Sequence, residues 1–235
     1  MCRTPDNADG AFDNQRRVDL VLGPIIEAAS AGWRVLEVGA GLGRVRQVGR
    51  LREAGIVLYG CDPSTEIARN PYLVEYDMDP VELVVYPEMF FDAIYSLFVL
   101  EHVCEPRSFL SRIYSLLKPG AYYHFVTPNR LHYFSFLSRM SQRFGVQEQL
   151  LHLLRGQEAE YHVPTFYRLN DRATLLRYAQ SVGFSECSIE FSEDPAEVEC
   201  YLPRGLRWVP TAYCRCVDAL GASGYKLNVV GHLRR

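Results

Sequence analysis

Arg34-Val35-Leu36-Glu37-Val38-Gly39-Ala40-Gly41-Leu42-Gly43 is the stretch on which the reading of this chain turns. A β-branched, apolar run ends in three glycines separated by single residues. Residues 44–54 follow with helical spacing, Val45, Val48 and Leu51 facing inward, and Gly55 stops them. Strand, glycine turn and helix open a nucleotide-binding α/β unit. Glycine admits positive φ and lets a ligand lie against the main chain. Glycines also end strands for purely structural reasons, so the loop needs a second signal. Residues 56–61 supply it: they read as another buried strand, and Asp62 stands at its end. An acid about 20 residues past the loop is where a ribose diol is gripped in such folds. The spacing is GxGxG, not the GxGxxG of dinucleotide binders, and no GK[ST] follows, so a P-loop is excluded. A nucleoside without a pyrophosphate fits better.

The 235 residues suffice for one domain with a sizeable core. A net charge of −3 argues against a nucleic-acid partner, which calls for a basic excess. Seven cysteines include no CxxC pair, and Cys214-Arg215-Cys216 is too tight for a zinc knuckle, so no metal site is expected. An odd cysteine count without a secretory signal suggests reduced thiols and a cytoplasmic location. No apolar run approaches the length of a membrane span.

Taken in order, residues 1–12 read as a mobile tail and residues 14–30 as an amphipathic helix. On that helix Arg16 and Arg17 could face a ligand, but a solvated face is the expected reading for both. Strands are expected at 33–38, 56–61, 72–76, 91–97, 121–127, 184–191 and 226–233. Val84-Val85-Tyr86 adds a weaker strand signal. Helices are expected at 106–117, opened by Pro106 and broken by Lys118-Pro119-Gly120, and at 171–182, with Asn170 as N-cap and Gly183 just past the end. Residues 193–199 read as an acidic loop and 206–220 as a helix after Pro210. Residues 130–168 interrupt the alternation with many aromatics; an insertion of that length suits a substrate lid, a satellite core, or both together.

The chain resembles the class I S-adenosylmethionine-dependent methyltransferases, in particular the small-molecule branch that includes the ubiquinone-biosynthesis type. The likeness is carried by EVGAGLGR (37–44), by the strand ending Cys61-Asp62, by FDAIYSLFVLEHV (91–103) and by LLKPG (116–120). It implies a three-layer Rossmann-like α/β fold with a seven-stranded sheet, order 3-2-1-4-5-7-6, last strand antiparallel, and a helical lid after strand five. It implies S-adenosylmethionine as cofactor and S-adenosylhomocysteine as product. By the same resemblance Glu37 supports the methionine end, while Gly39, Ala40, Gly41 and Gly43 form the cradle. Asp62 takes the ribose hydroxyls, Pro63 or Ser64 flanks adenine, Asp77 accepts its amino group and Met78 lies beside the ring. Ser96, Leu97 and Phe98 close the site. His102, in Leu100-Glu101-His102-Val103, falls at the cofactor–acceptor boundary, and His162, ahead of the penultimate helix, is the expected base; either can instead be a satisfied core histidine.

The acceptor implied is a small molecule, most readily an oxygen of a quinone precursor, sugar or secondary metabolite. A non-catalytic cofactor-binding module is the alternative. Residues 206–220, with arginines around them, are a possible weak membrane contact, although an apolar stripe is more often core. Tyr114-Ser115-Leu116-Leu117-Lys118 also matches the YxxxK of short-chain dehydrogenases, but residues four apart share a helix face anyway, so the pairing arises easily by chance.

Overall fold

The computed structural model describes residues 15–143, 164–199 and 202–235. A seven-stranded sheet organises them: β1 (Arg34–Val38), β2 (Val57–Cys61), β3 (Glu75–Asp77), β4 (Phe91–Leu97), β5 (Leu117–Pro128), β6 (Glu186–Ser192) and β7 (Asn228–Arg234). Their order is β3-β2-β1-β4-β5-β7-β6, as the resemblance implied. The first five strands pair in parallel, and β7 is antiparallel to both β5 and β6. β6 therefore runs the same way as β5. The carboxyl ends of β1 to β6 share one edge, where an open α/β sheet forms its crevice.

Strand β1 is apolar at every position except Arg34 and Glu37, the pattern of a parallel strand covered on both faces. Successive side chains alternate between those faces. Val35, Leu58, Tyr95 and Val126 pack against Val18, Val21, Leu22 and Ile25 of α1 (Gln15–Ala28) and Leu51 of α2 (Gly49–Glu53). Leu36, Ile94 and Tyr123 meet the opposite layer. That layer holds Phe109, Leu110 and Ile113 of α3 (Pro106–Leu116), and Leu175 and Ala179 of a later helix, Arg172–Val182. Truncating any of these fully buried Leu or Ile side chains to Ala costs about 2–5 kcal/mol.

Several expectations are corrected. The helix after the glycine loop is shorter than residues 44–54: a 3-10 turn over Arg46–Val48 leads into α2, and Val45 offers no side-chain cap. Lys118-Pro119-Gly120 do not separate helix from strand. They form an irregularity inside β5, whose register to β4 jumps from Phe91↔Leu117 to Ala93↔Tyr122, with Gly120 at φ +79°. Val84-Val85-Tyr86 make no ladder; the carbonyls of Val84 and Tyr86 accept from the Arg112 guanidinium instead (2.6 and 3.0 Å).

Helix α4 (Tyr133–Arg143) lies in the described part of the insertion. Helix α5 (Arg172–Val182) is capped by Asp171, which accepts from Thr174 N–H, and not by Asn170. The acidic loop contains a helical turn, α6 (Ala196–Glu199). Helix α7 (Trp208–Ala219) starts before Pro210, not after it. Proline is tolerated there because first-turn N–H groups lack intrahelical acceptors. Among the described residues no helix is long and apolar enough to cross a membrane, and no group of three or more His, Cys, Asp or Glu could hold a metal ion. Residues 1–12 and 144–163, the latter including His162, lie outside the described residues.

Candidate active site

The crevice begins where β1 hands over to the glycine loop. Gly39 and Ala40 donate their N–H groups to the Cys61 carbonyl at the end of β2 (2.8 and 3.3 Å), which bends the loop back over the sheet edge. Gly39 and Gly43 both sit at φ +74°, and a Cβ at either would overlap a neighbour, Val99 Cγ2 or Asn70 Oδ1. Glycine is therefore required twice over, by conformation and by packing. At Gly41 a Cβ would instead meet only Asp62 Oδ2, at 3.7 Å.

Asp62 faces this loop. Its Oδ2 accepts from Gly41 N–H (2.9 Å) and its Oδ1 from Ser64 N–H (2.7 Å). Each oxygen keeps a second acceptor position, so the carboxylate is fixed in place without being used up. Asp77 lies alongside in register with Cys61, and its carbonyl accepts from Asp62 N–H (3.1 Å). Asp77 Oδ1 is held by Asp79 N–H (3.1 Å), a turn that sets the carboxyl at the end of β3. Pro63 and Met78 are exposed at the same edge.

Glu37 lies under the loop. It is paired in register with Tyr95 of β4, and its Oε2 is buried with no hydrogen-bond partner. Burial pushes its carboxyl up from 4.5 to about 8; the nearby Tyr95 hydroxyl opposes the rise and the Asp62 charge adds to it. A buried carboxyl held this way suits a cationic ligand group, which would restore its charge and satisfy the orphan oxygen.

The far wall comes from the end of β4. Leu97 and Phe98 are half-buried, and Phe98 takes φ +58°, a conformation rare outside glycine. Its N–H donates to Val126 O (2.9 Å), and the Arg17 guanidinium lies 4.5 Å from its ring centroid. Arg17 is thus not on a solvated face: it also pairs with Glu197. Ser96, expected to close the site, is fully buried and bonded to the Tyr123 hydroxyl (2.6 Å).

His102 follows in a 3-10 turn, Leu100–His102. Its Nδ1 lies 2.9 Å from Pro164 O. A carbonyl only accepts, so Nδ1 carries the proton and Nε2 keeps a lone pair. The position is supported from beneath: Glu101 accepts from Thr127 Oγ1 (2.9 Å), and Thr127 Oγ1 in turn accepts from Asn170 Nδ2 (2.6 Å). Burial raises the Glu101 carboxyl, and the neighbouring His102 works against that rise.

The structure thus gathers Glu37, Gly39, Ala40, Gly41, Gly43, Asp62, Pro63, Asp77 and Met78 around the ends of β1 to β3, with Leu97, Phe98 and His102 after β4. His162 falls outside the described residues. Asn70 was missed by the sequence reading: its buried Nδ2 donates to the carbonyls of Ala40 and Gly41 (3.0 and 3.3 Å), and Tyr72 N–H donates to its Oδ1 (3.0 Å). The Asn70-Pro71 dipeptide signals a turn but not what the turn supports. The YxxxK match dissolves: α3 ends at Leu116, Lys118 pairs with Asp92 (2.5 Å), and the Tyr114 ring packs edge-on against Phe184.

Comparison with known proteins agrees with this fold. A family model described as a methyltransferase domain matches residues 12–187. A ubiquinone biosynthesis O-methyltransferase of Coxiella burnetii is 30% identical over 107 residues, covering 42% of this chain and 45% of the relative, so less than half the relative's length is spanned. Among solved structures, a SAM-dependent methyltransferase from Archaeoglobus fulgidus superposes with TM-score 0.58 at 17% identity, covering 93% of each chain. Phosphoethanolamine N-methyltransferase 2 of Haemonchus contortus, solved with S-adenosyl-L-methionine, gives 0.62 at 17% identity over 97% of this chain and 55% of that one. Those two show a shared fold. With the family model covering most of its length, the chain belongs to the methyltransferase domain family.

Proposed function

We propose that this chain transfers a methyl group from S-adenosylmethionine to an oxygen of a small-molecule acceptor. The observation that carries the reading is Glu37: a buried, unpaired carboxyl oxygen beneath a glycine loop that would not admit side chains at Gly39 or Gly43. Asp62, anchored by two backbone N–H groups with acceptor positions to spare, takes the ribose diol. Asp77 accepts the adenine amino group, Met78 and Pro63 flank the ring, and Leu97 and Phe98 close the site after β4. When bound, S-adenosylmethionine supplies an activated methyl and leaves as S-adenosylhomocysteine. The chain holds donor and acceptor about 3–3.5 Å apart and takes up the acceptor's hydroxyl proton. His102 Nε2 has the free lone pair for that step, and His162, the base expected from the sequence, is the other candidate in this reading. Residues 130–168 serve as the lid; exposed Leu131, Phe136 and Leu137 at and beside α4 give its described part an apolar side. Oxygen is favoured as the acceptor atom by the O-methyltransferase relative.

Titration calorimetry with S-adenosylmethionine and S-adenosylhomocysteine tests the cofactor. Asp62→Ala should weaken binding by about 1–3 kcal/mol, the cost of leaving buried polar groups unpaired. Undiminished binding removes Asp62 from the site. Incubation with metabolite pools, read by mass spectrometry for gain of one methyl, tests turnover; cofactor binding with no methylated product would favour a non-catalytic module.

A further inference from the structure

A second polar cluster lies at the same sheet edge, beyond the ends of β5 and β6. His132 and Glu193 are side by side and fully buried at their side chains, with His132 Nε2 3.2 Å from Glu193 Oε1. Phe134 N–H donates to His132 Nδ1 (3.2 Å), so Nδ1 is an acceptor and the ring proton sits on Nε2. The imidazole is therefore neutral, and it offers Glu193 a hydrogen bond but no counter-charge. Among the described residues neither Lys nor Arg forms an ion pair with Glu193. Its second oxygen, Oε2, is buried and unpartnered.

Three rings close the cluster. His132 meets Tyr133 at 4.4 Å and Tyr213 at 5.0 Å between centroids, and the two tyrosines meet at 4.7 Å. The Tyr213 hydroxyl donates to Tyr225 O (2.8 Å), so it is committed. The Tyr133 hydroxyl is buried and unpartnered. Burial and then the Glu193 charge push that phenol up to about 12, which keeps it protonated.

A buried carboxyl that lacks a cation is costly unless something supplies one. A neutral hydroxyl has one proton to give. A protonated amine has a charge and two or three N–H donors, enough for Glu193 Oε2 and Tyr133 Oη together, and aromatic walls favour a cation further.

We propose that Glu193 and Tyr133, braced by His132 and Tyr213, form a recognition site for a protonated amine on the methyl acceptor. The inference rests on the methyltransferase reading above and names its substrate class: a small hydroxy compound that also bears a primary or secondary amine. The amine is not the methylated atom, because an ammonium nitrogen has no lone pair to attack with. His132 follows β5, the strand beside β4 in the sheet, and Glu193 follows β6, two strands further out, so the cluster lies on the β5 side of the edge where Phe98 and His102 stand. An amine held here would aim the rest of the molecule toward that point.

The test is calorimetry on the S-adenosylhomocysteine-loaded protein with two probes of equal shape, tyramine and 4-propylphenol. Tyramine should bind at least about tenfold tighter, a difference of about 1.4 kcal/mol. Glu193→Gln should bring the two probes to near-equal affinity while S-adenosylhomocysteine binding is kept. Tyr133→Phe, a milder change that leaves the ring packing in place, should weaken tyramine severalfold and 4-propylphenol not at all. Equal affinity of the probes for the wild-type protein, no binding of either, or undiminished discrimination in both variants overturns the proposal. Failure to bind S-adenosylhomocysteine would sink the cofactor reading instead, so the two failures are distinguishable.

Discussion

Glu37→Gln separates stability from ligand binding. The Glu37 carboxyl ionises at 4.5 in an open chain and at about 8 in the folded protein, because burial penalises the charge. Between those values the folded state holds a proton that the unfolded state releases. Stability therefore falls as pH rises through the window, by about 1.4 kcal/mol per pH unit, to a total of about 5 kcal/mol above the upper end. Glutamine keeps the shape and a hydrogen-bonding head but carries no charge, so this loss disappears. Urea unfolding of both proteins without ligand should show the variant gaining on wild type by about 4 kcal/mol between about pH 5 and pH 8.

Ligand binding should move the other way. A cationic ligand group beside Glu37 stabilises the ionised carboxyl, so wild-type affinity rises with pH up to about 8, by at most about tenfold per unit, and binding releases a proton. The variant should bind more weakly and lose that pH dependence. Parallel stability profiles for the two proteins, differing by under about 1 kcal/mol across the range, would refute the idea that this buried carboxyl is an unmet charge waiting for a partner.

Other consequences are independent. Asn70→Ala leaves the Ala40 and Gly41 carbonyls without their donor and should cost about 1–3 kcal/mol, read by urea unfolding, with weaker cofactor binding in calorimetry; an unchanged binding constant would show that the loop needs no such brace. Gly39→Ala sets a Cβ against Val99 at positive φ and should destabilise by about 1–3 kcal/mol or more, seen as a lowered melting temperature; an unchanged one counts against the packing described. His124 and His232 face each other across β5 and β7 with Nδ1 atoms 2.7 Å apart, and burial, then the neighbouring imidazole, lowers His124 from 6.5 to about 3. Stability from this site is full above the upper value and is lost as pH falls through the window, by about 1.4 kcal/mol per unit; His124→Gln should flatten that acid limb in urea titrations, and an identical limb would exclude the pair as its source.

The sequence by itself determined that a strand, a glycine turn and a second strand ending in an acid open a nucleotide-binding α/β unit, because these rest on local patterns; the seven-strand order was implied by family resemblance and agrees with the structure. Val35, Leu36 and Val38 read as a strand covered on both faces, and the three following glycines read as a turn that lets a ligand or chain come close. Asp62 could be placed against that turn because strand ends in a parallel sheet share one edge. Only the tertiary structure decided what depends on residues far apart in the chain. Asn70 braces the glycine loop from 30 positions away. Arg17, which its own helix assigns to solvent, lies on Phe98 and pairs with Glu197 from the other end of the chain. Asp171 caps its helix because Asn170 is drawn to Thr127 instead. His132 and Glu193 are 61 residues apart and acquire meaning only when β5 and β6 end at the same edge. Periodicity and turn chemistry act over a few residues and are written in order, whereas burial and partner choice depend on which surfaces the sheet brings together, and no short stretch records that.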